Sequence, residues 1–531
     1  MWRARLLLAA GLIAACFAGL GRLPLLDPDE GRYARTAQEM IQRGDYVVPH
    51  LDGQPRLAKP VLFYWLECAA FHLLGFTETA ARLPSALAAL GTLLWVFAFV
   101  RPRLGEKAAL ASCAILATTP LFFAMARTAT PDMTLTFLVF GATVSLHAGL
   151  VEGARSRRII VGGLCLGLGL LTKGPVAVIL PAIGIAAALL AARPAVALVA
   201  GRAAAALGIA VAVAIPWAAI LFHRMGWQHV VEIWRRETVD RYAGGLDHPE
   251  SVLFFLLIAP LIFFPWSTFA PVAFVGGFRR GRRGDGLPPL LLAWAAGGFI
   301  FFTLGRGKLP SYLLPLAPAA AILTAMCVTS EAFRDRSARW SVWTLLVIAC
   351  GLTLPLPAGR DLTEAPALLP AVSLTIGGAA LIAAASSFFA RGRAVAPILG
   401  SMITLALVGG AILIPEEFAD VRSTRALVTQ AGLHRTEEPV YAHRILRPSL
   451  GFYLRRSPNL TKARHILMQE IQDGGPAAVL VEERRHDVVT ALLARGFRVA
   501  ARSAGVLVMR RPATRATSCV DADEHAAFDP A

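Results

Sequence analysis

Apolar runs about as long as a bilayer crossing recur from the first residues to about position 414, separated by short polar gaps. A membrane helix needs about 20 mainly apolar residues. On that length, spans are expected near 5–24, 79–100, 106–124, 131–151, 157–172, 174–192, 200–222, 251–275, 287–304, 309–329, 340–357, 366–388 and 395–414, thirteen in all. The runs 157–172 and 174–192 are short and parted only by Lys173, so they also read as one broken element. The stretch from Val61 to Phe76 is too short to cross and carries Glu67 and His72, which points to an interfacial or re-entrant helix. The first run opens with Trp2-Arg-Ala-Arg5 and holds Ala15-Cys-Phe-Ala18, features shared with signal peptides. The spans that follow favour its retention.

After Pro415 the pattern changes. Strand-like runs at Pro439–His443, Ala478–Val481 and Gly505–Met509 alternate with a helical run near 486–496. The last twenty residues show no periodicity. The expected fold class is a polytopic α-helical membrane protein of about thirteen transmembrane helices with a small periplasmic α/β C-terminal domain. The expected divisions are a membrane domain over 1–415, containing a first outer loop at 25–78, an α/β domain over 416–511 and a flexible tail over 512–531. No internal repeat of the transporter kind is visible.

Composition agrees with the bilayer reading. Hydrophobic residues make up 56% of the chain and charged residues 16%, against about 25% charged in soluble domains. The net charge of +17 would suggest nucleic acid in a soluble protein. Here the basic residues fall in short gaps, so they speak for orientation and no nucleic-acid partner is expected. One set of connections holds most of the arginines, among them Arg101, Arg103, Arg155, Arg157, Arg158, Arg279, Arg280, Arg282 and Arg283, whereas the opposite short connections hold few. That bias predicts a cytoplasmic N-terminus, and an odd number of spans then puts the C-terminus outside. The seven cysteines form no CxxC pair, which argues against a disulfide framework or a zinc site.

Candidate chemistry gathers on the predicted outer face. The first loop reads Leu25-Leu-Asp-Pro-Asp-Glu-Gly-Arg-Tyr-Ala-Arg35, and Pro28 precedes helical spacing over 30–43. Tyr33, Ala37, Met40 and Ile41 form an apolar face expected to lie on the membrane. Asp29 at that helix start suits a general base, or an electrostatic partner for a cationic transition state; N-capping by Asp27 or Asp29 is an equal reading at this point. Lys59, where the loop turns back into apolar sequence, either snorkels or holds a phosphate. Arg127-Thr-Ala-Thr-Pro-Asp132 opens the 131–151 span; ionisable groups at membrane depth are functional by default, with helix capping as the alternative near the interface. Gly305-Arg-Gly-Lys-Leu-Pro-Ser-Tyr312 adds two cations and a phenol, and the second long loop adds Arg235, Arg236, Arg241, Tyr242 and His248.

On Asp29-Glu-Gly-Arg-Tyr-Ala34, Gly44-Asp-Tyr-Val-Val-Pro-His50, Lys59-Pro60, Pro131-Asp132, Leu171-Thr-Lys-Gly-Pro175 and Lys308-Leu-Pro-Ser-Tyr312, the sequence resembles bacterial members of glycosyltransferase family 39 in the GT-C superfamily. Among these it is most similar to aminoarabinose transferases that modify lipid A, and more distantly to protein O-mannosyltransferases. The resemblance implies a GT-C-like membrane domain and an undecaprenyl-phosphate-sugar donor. It also implies transfer at the periplasmic face to lipid A or another acceptor, in the bacterial inner membrane. It matches Asp29 and Asp132 to catalytic carboxylates and Lys59 to the donor phosphate. Glu30, Arg32, Tyr33, Arg127, Arg241, Lys308 and Tyr312 complete the expected binding set. Where such enzymes have Glu-Lys-Pro this chain has Ala58-Lys59-Pro60, so no metal is expected and no cofactor beyond the lipid-linked donor.

The residues fit such chemistry. The leaving group is already a phosphodiester, so cations stabilise its departure and no strong general acid is needed. The competing readings are a transporter or flippase of lipid-linked sugars and a protein O-mannosyltransferase-like enzyme.

Overall fold

A computed structural model describes residues 2–244, 250–330, 420–471 and 476–511. The chain divides into two compact units, 1–419 and 420–531. In the first unit the helices are α1 (Trp2–Phe17), α2 (Asp29–Arg43), α3 (Leu62–Leu74), α4 (Glu78–Ala117), α5 (Pro120–Met125), α6 (Pro131–Leu146), α7 (Arg157–Lys173), α8 (Val176–Ala192) and α9 (Val196–Met225). They continue with α10 (Trp227–Arg235), α11 (Arg241–Gly244), α12 (Phe254–Ile262), α13 (Ala270–Arg282), α14 (Leu287–Leu292), α15 (Gly298–Leu304) and α16 (Ala317–Val328).

Among the described residues five helices are long and apolar enough to cross a membrane: Glu78–Ala117, Pro131–Val151, Val196–Met225, Leu287–Leu304 and Pro310–Val328. A bent pair, Phe254–Ile262 with Trp266–Arg282, makes a sixth if it counts as one span. The protein is therefore a multi-pass membrane protein. The spans expected at 340–357, 366–388 and 395–414 lie outside the described residues.

One boundary differs from the hydropathy reading. The expected span 251–275 is two segments meeting at 110°. Pro265 lies at the break and can neither donate a helical hydrogen bond nor let the residue before it settle into a helix. The boundary expected between 79–100 and 106–124 coincides with a kink inside α4 at Gly105, whose φ of 84° breaks the regular backbone. Length and hydropathy do not register the bend at Pro265, because it lies within apolar sequence.

Glycines decide how the bundle packs. A Cβ at Gly163 would lie 2.7 Å from the Ala206 carbonyl oxygen, and one at Gly167 would lie 2.8 Å from that of Ala210. Helix α7 thus presents a small-residue face that brings its backbone against α9, where lipid tails supply little hydrophobic drive and close packing does the work. Gly174 (φ 75°) and Pro175 then separate α7 from α8. That break places Lys173 at the end of a helix rather than inside one.

The first loop is built like a soluble element. Asp52 (φ 49°) and Gly53 (φ 84°) turn a two-residue hairpin between β1 (His50–Leu51) and β2 (Gln54–Pro55), as Asp-Gly does in tight hairpins. Its tip is clamped to α2. Asp52 accepts a 3.3 Å hydrogen bond from the buried Arg35 Nε, and the Gly53 amide donates to Glu39 Oε1 at 2.9 Å. The Tyr33, Ala37 and Met40 face expected to lie on the membrane is instead buried in protein, against α3. The loop returns through α3 and shields that face, which helical spacing alone does not reveal.

In the second unit, β3 (Val440–His443), β4 (Asn459–Thr461), β5 (Ala477–Glu482), β6 (Arg498–Ser503) and β7 (Val506–Arg511) form one sheet in the order β4-β3-β5-β7-β6. Strands β4, β3 and β5 run parallel, and β7 and β6 are antiparallel additions. Alternate residues of β5 serve the two faces: Ala478 and Leu480 join a core with Leu427 and Leu450, and Val479 and Val481 join one with Leu467 and Val488. The short β4 and the exposed β6 carry too little alternation to be read from sequence. The tail at 512–531 lies outside the described residues.

Candidate functional site

A cavity of about 380 Å³ opens where α6, α7, α8, α15 and the Lys59 turn meet the segment after α10. Phe301, Phe302, Leu135, Val176 and Ile179 give it apolar walls, and Lys59, Asp132, Lys173, Glu237, Tyr242, Ser311 and Tyr312 give it polar groups.

Two ion pairs dominate its chemistry. Lys173 Nζ lies 2.6 Å from Asp132 Oδ1, with the two side chains 15% and 11% exposed. That shielding makes the pair a directional contact rather than a screened surface one. Pro131 sits in the first turn of α6, so Asp132 occupies the positive end of that helix. The Lys173 ammonium also lies 4.8 Å from the centre of the Tyr312 ring, close enough for cation–π attraction. The second pair joins Lys59 Nζ to Glu237 Oε2 at 3.3 Å. Lys59 also donates to the Ala58 carbonyl at 2.9 Å.

Tyr33 packs against Phe63 and Tyr64 of α3. Its buried phenol is pushed well above its ordinary range, first by burial and then by Tyr64; Arg56 opposes the shift, and the carboxylates of Asp132 and Asp29 add to it. Both carboxylates thus act electrostatically on the same phenol. Asp29 itself is largely open, with its side chain 58% exposed and Arg32 at 3.5 Å. Arg56 stands among Tyr64, Tyr33 and Glu237, which together favour its charged form over the cost of burial.

The other expected residues sit elsewhere. Glu30 is buried and fully engaged in architecture. Arg82 Nε and Nη2 donate to it at 2.8 and 2.7 Å, and the amides of Leu26 and Ala129 donate at 2.9 and 2.8 Å. Arg127 turns away from the cavity, donating to the carbonyls of Ala14 and Ala15 at the end of α1 and lying 3.8 Å from the Phe123 ring centre. Lys308 is buried and donates to the Glu250 carbonyl at 3.1 Å. Arg241 starts α11, next to Tyr242. Tyr242 stacks on Phe301 with ring centres 5.1 Å apart and donates to the Phe301 carbonyl. A side chain at Gly305 would run into that ring at 2.8 Å.

Of the expected set, then, Asp132, Lys59 and Tyr312 line one cavity, Asp29 and Asp132 both act electrostatically on Tyr33, and Glu30, Arg127 and Lys308 are engaged in architecture. Lys173, Glu237 and Arg56 were absent from that set. Lys173 had a readable signal, a lone cation between two apolar runs, but Glu237 and Arg56 did not stand out in charge-mixed loops. Among the described residues no three His, Cys, Asp or Glu side chains converge as a metal site.

Residues 58–220 match the family described as dolichyl-phosphate-mannose-protein mannosyltransferase. Over 514 residues the chain is 28% identical to the undecaprenyl phosphate-α-4-amino-4-deoxy-L-arabinose arabinosyl transferase of Pectobacterium carotovorum, spanning 92% of this chain and 86% of the relative. It resembles the aminoarabinose transferases. The corresponding protein of Edwardsiella ictaluri is 33% identical over 57% of this chain and 55% of its own length. In fold, the chain is similar to ArnT from Cupriavidus metallidurans bound to undecaprenyl phosphate, with TM-score 0.79, 22% identity and coverage of 95% and 97%. It is more distantly similar to the archaeal oligosaccharyltransferase AglB from Archaeoglobus fulgidus, with TM-score 0.54, 13% identity and coverage of 90% and 70%. The chain thus shares its fold with these structures.

Proposed function

We propose that this protein is a membrane glycosyltransferase that moves a sugar from a polyprenyl-phosphate donor to lipid A or another periplasmic acceptor. The observation that carries this reading is the cavity itself. It sets cations, carboxylates and phenols against an apolar wall, as a donor with a charged head and a greasy tail requires. The likeness to arabinosyl transferases that use an undecaprenyl-phosphate-linked amino sugar supports the same donor class.

In this reading Lys59 holds the donor phosphate and stabilises the charge that stays on it as the bond to the sugar breaks. The leaving group is undecaprenyl phosphate, which keeps the electron pair. An acceptor oxygen forms the new bond at the anomeric carbon from the opposite side, with inversion. The anomeric carbon gains positive charge in the transition state, and Asp29 and Asp132 flank the region where a carboxylate offsets it. Asp29, the more open of the two, orients the incoming nucleophile, and Lys173 fixes Asp132. A phosphate acceptor is already anionic near neutral pH, so orientation matters more than proton removal. Arg241 and Tyr312 complete the donor side.

The basic connections support a cytoplasmic N-terminus, with the cavity and the C-terminal α/β unit on the periplasmic side of an inner membrane. About thirteen spans complete that topology. The test is transfer of radiolabelled sugar from an undecaprenyl-phosphate donor to lipid A by the purified full-length protein in proteoliposomes. Label appearing on lipid A supports the reading. Label crossing the bilayer without bond formation would instead make the protein a flippase, and label on protein would make it a mannosyltransferase-like enzyme.

A further inference from the structure

We infer that Glu237 selects the donor by the charge of its sugar: it yields Lys59 to the donor phosphate and takes a cationic amino group on the sugar as its new partner. This rests on the donor class proposed above and names the residue that discriminates within it.

The argument is one of charge. Among the described residues, four charged side chains line the cavity: Lys59 and Lys173 against Asp132 and Glu237. They stand in two pairs, at 3.3 and 2.6 Å, and are between 11% and 20% exposed. When a polyprenyl phosphodiester draws Lys59 to its phosphate, Glu237 gives up its 3.3 Å contact, in a site shielded enough for a weakened pairing to be costly. A neutral sugar offers no replacement cation. An amino sugar, whose alkyl amine is protonated near neutral pH as lysine is, brings one.

Geometry says which pair opens. The Lys173–Asp132 contact is the shorter, and a cation–π contact to Tyr312 braces it. The Lys59–Glu237 contact is longer, and Glu237 lies on a single turn of π-helix, Arg236–Asp240, between α10 and α11. π-turns of this kind recur at functional sites. Arg56 also faces Glu237, but it stands first among Tyr64 and Tyr33, so it is shared with the phenols and does not replace Lys59 outright.

The experiment uses the full-length protein in nanodiscs with three probes: undecaprenyl phosphate alone, an undecaprenyl-phosphate amino-sugar donor, and the same donor with its amine acetylated. Glu237→Gln should bind undecaprenyl phosphate several-fold tighter than wild type, because the competing carboxylate is gone; binding that is unchanged or weaker overturns the exchange at Lys59. Wild type should prefer the amine donor over the acetylated one by about tenfold in kcat/KM, the scale of one charge-assisted contact. E237Q should lose that preference, mainly through a higher KM for the amine donor, and Glu237→Asp should restore part of it. An E237Q enzyme that keeps the full preference overturns the selection. If wild type turns over neither donor, the transferase reading falls, and the undecaprenyl phosphate arm still decides whether Glu237 competes for Lys59.

Discussion

Arg82 reaches across 52 residues of sequence to hold both carboxylate oxygens of Glu30, at 2.8 and 2.7 Å, while its remaining donors reach the carbonyls of Leu20, Leu23 and Pro24. A single buried guanidinium thus closes the exit of α1 onto the start of α4. It also sets where Asp29, one residue before Glu30, enters its helix. Breaking a buried pair by removing one partner costs about 3–5 kcal/mol. Arg82→Ala should therefore lower the unfolding temperature of the detergent-solubilised protein substantially and reduce activity only with it. An R82A protein of wild-type stability would show that the pair is not what holds the loop.

Asp29→Asn should act in the opposite way. Its side chain is largely open and pairs with Arg32, so the stability change should stay within about 0.5 kcal/mol. Transfer should be abolished while undecaprenyl phosphate binding persists. Wild-type turnover by D29N would remove Asp29 from the chemistry.

The pair of Asp132 and Lys173 should behave as a unit. Asp132→Asn and Lys173→Met should each slow transfer by about a hundredfold or more, and the double variant should be little worse than either single one, because each change already breaks the shared contact. Single-turnover rates on the three proteins check this. Strictly additive losses would mean that the 2.6 Å contact is incidental to catalysis.

Sequence reading reached this site unevenly, for physical reasons. Apolar run length reveals that residues sit in a membrane, and lone ions beside such runs, Lys59 and Asp132, stand out because burial there is costly. The same cost marks Glu30 and Arg127, yet the structure resolves it in favour of architecture: each satisfies backbone groups that would otherwise be orphaned. An isolated charge signals that something pairs with it, without saying whether that partner is a substrate or a carbonyl. Glu237 and Arg56 lie in polar loops where one more charge carries no signal, and only the fold brings Glu237 to Lys59 across 178 residues. The Asp52-Gly53 hairpin was legible in principle from its dipeptide, although its β-ladder is only two residues long on each side.

Lys59→Ala should weaken donor binding before it affects anything else. One charge-assisted contact to a phosphate is worth about 1.5–3 kcal/mol, so the dissociation constant for undecaprenyl phosphate should rise by about tenfold or more. Isothermal titration in nanodiscs measures it. Unchanged affinity would remove Lys59 from phosphate binding.

Stability should also depend on pH through Asp45. This residue follows α2 and accepts hydrogen bonds from the amides of Val47 and Val48 at 3.0 and 3.3 Å, and from Arg224 at the end of α9 at 3.0 Å. Burial alone would raise its pKa; the two amides, Arg224 and His50 outweigh it and hold the carboxyl below its ordinary value. A carboxyl whose folded pKa is depressed contributes stability above its unfolded pKa of about 3.9, and loses it as pH falls through the lower, folded value. Asp45→Asn keeps an oxygen acceptor for the amides but gives up the charge. It should therefore unfold at a lower temperature than wild type at pH 7, by the equivalent of about 1 kcal/mol for a partly exposed group. The two melting curves should converge as pH drops below about 4. A gap of undiminished size at pH 3 would show that the Asp45 anchor works through shape rather than charge.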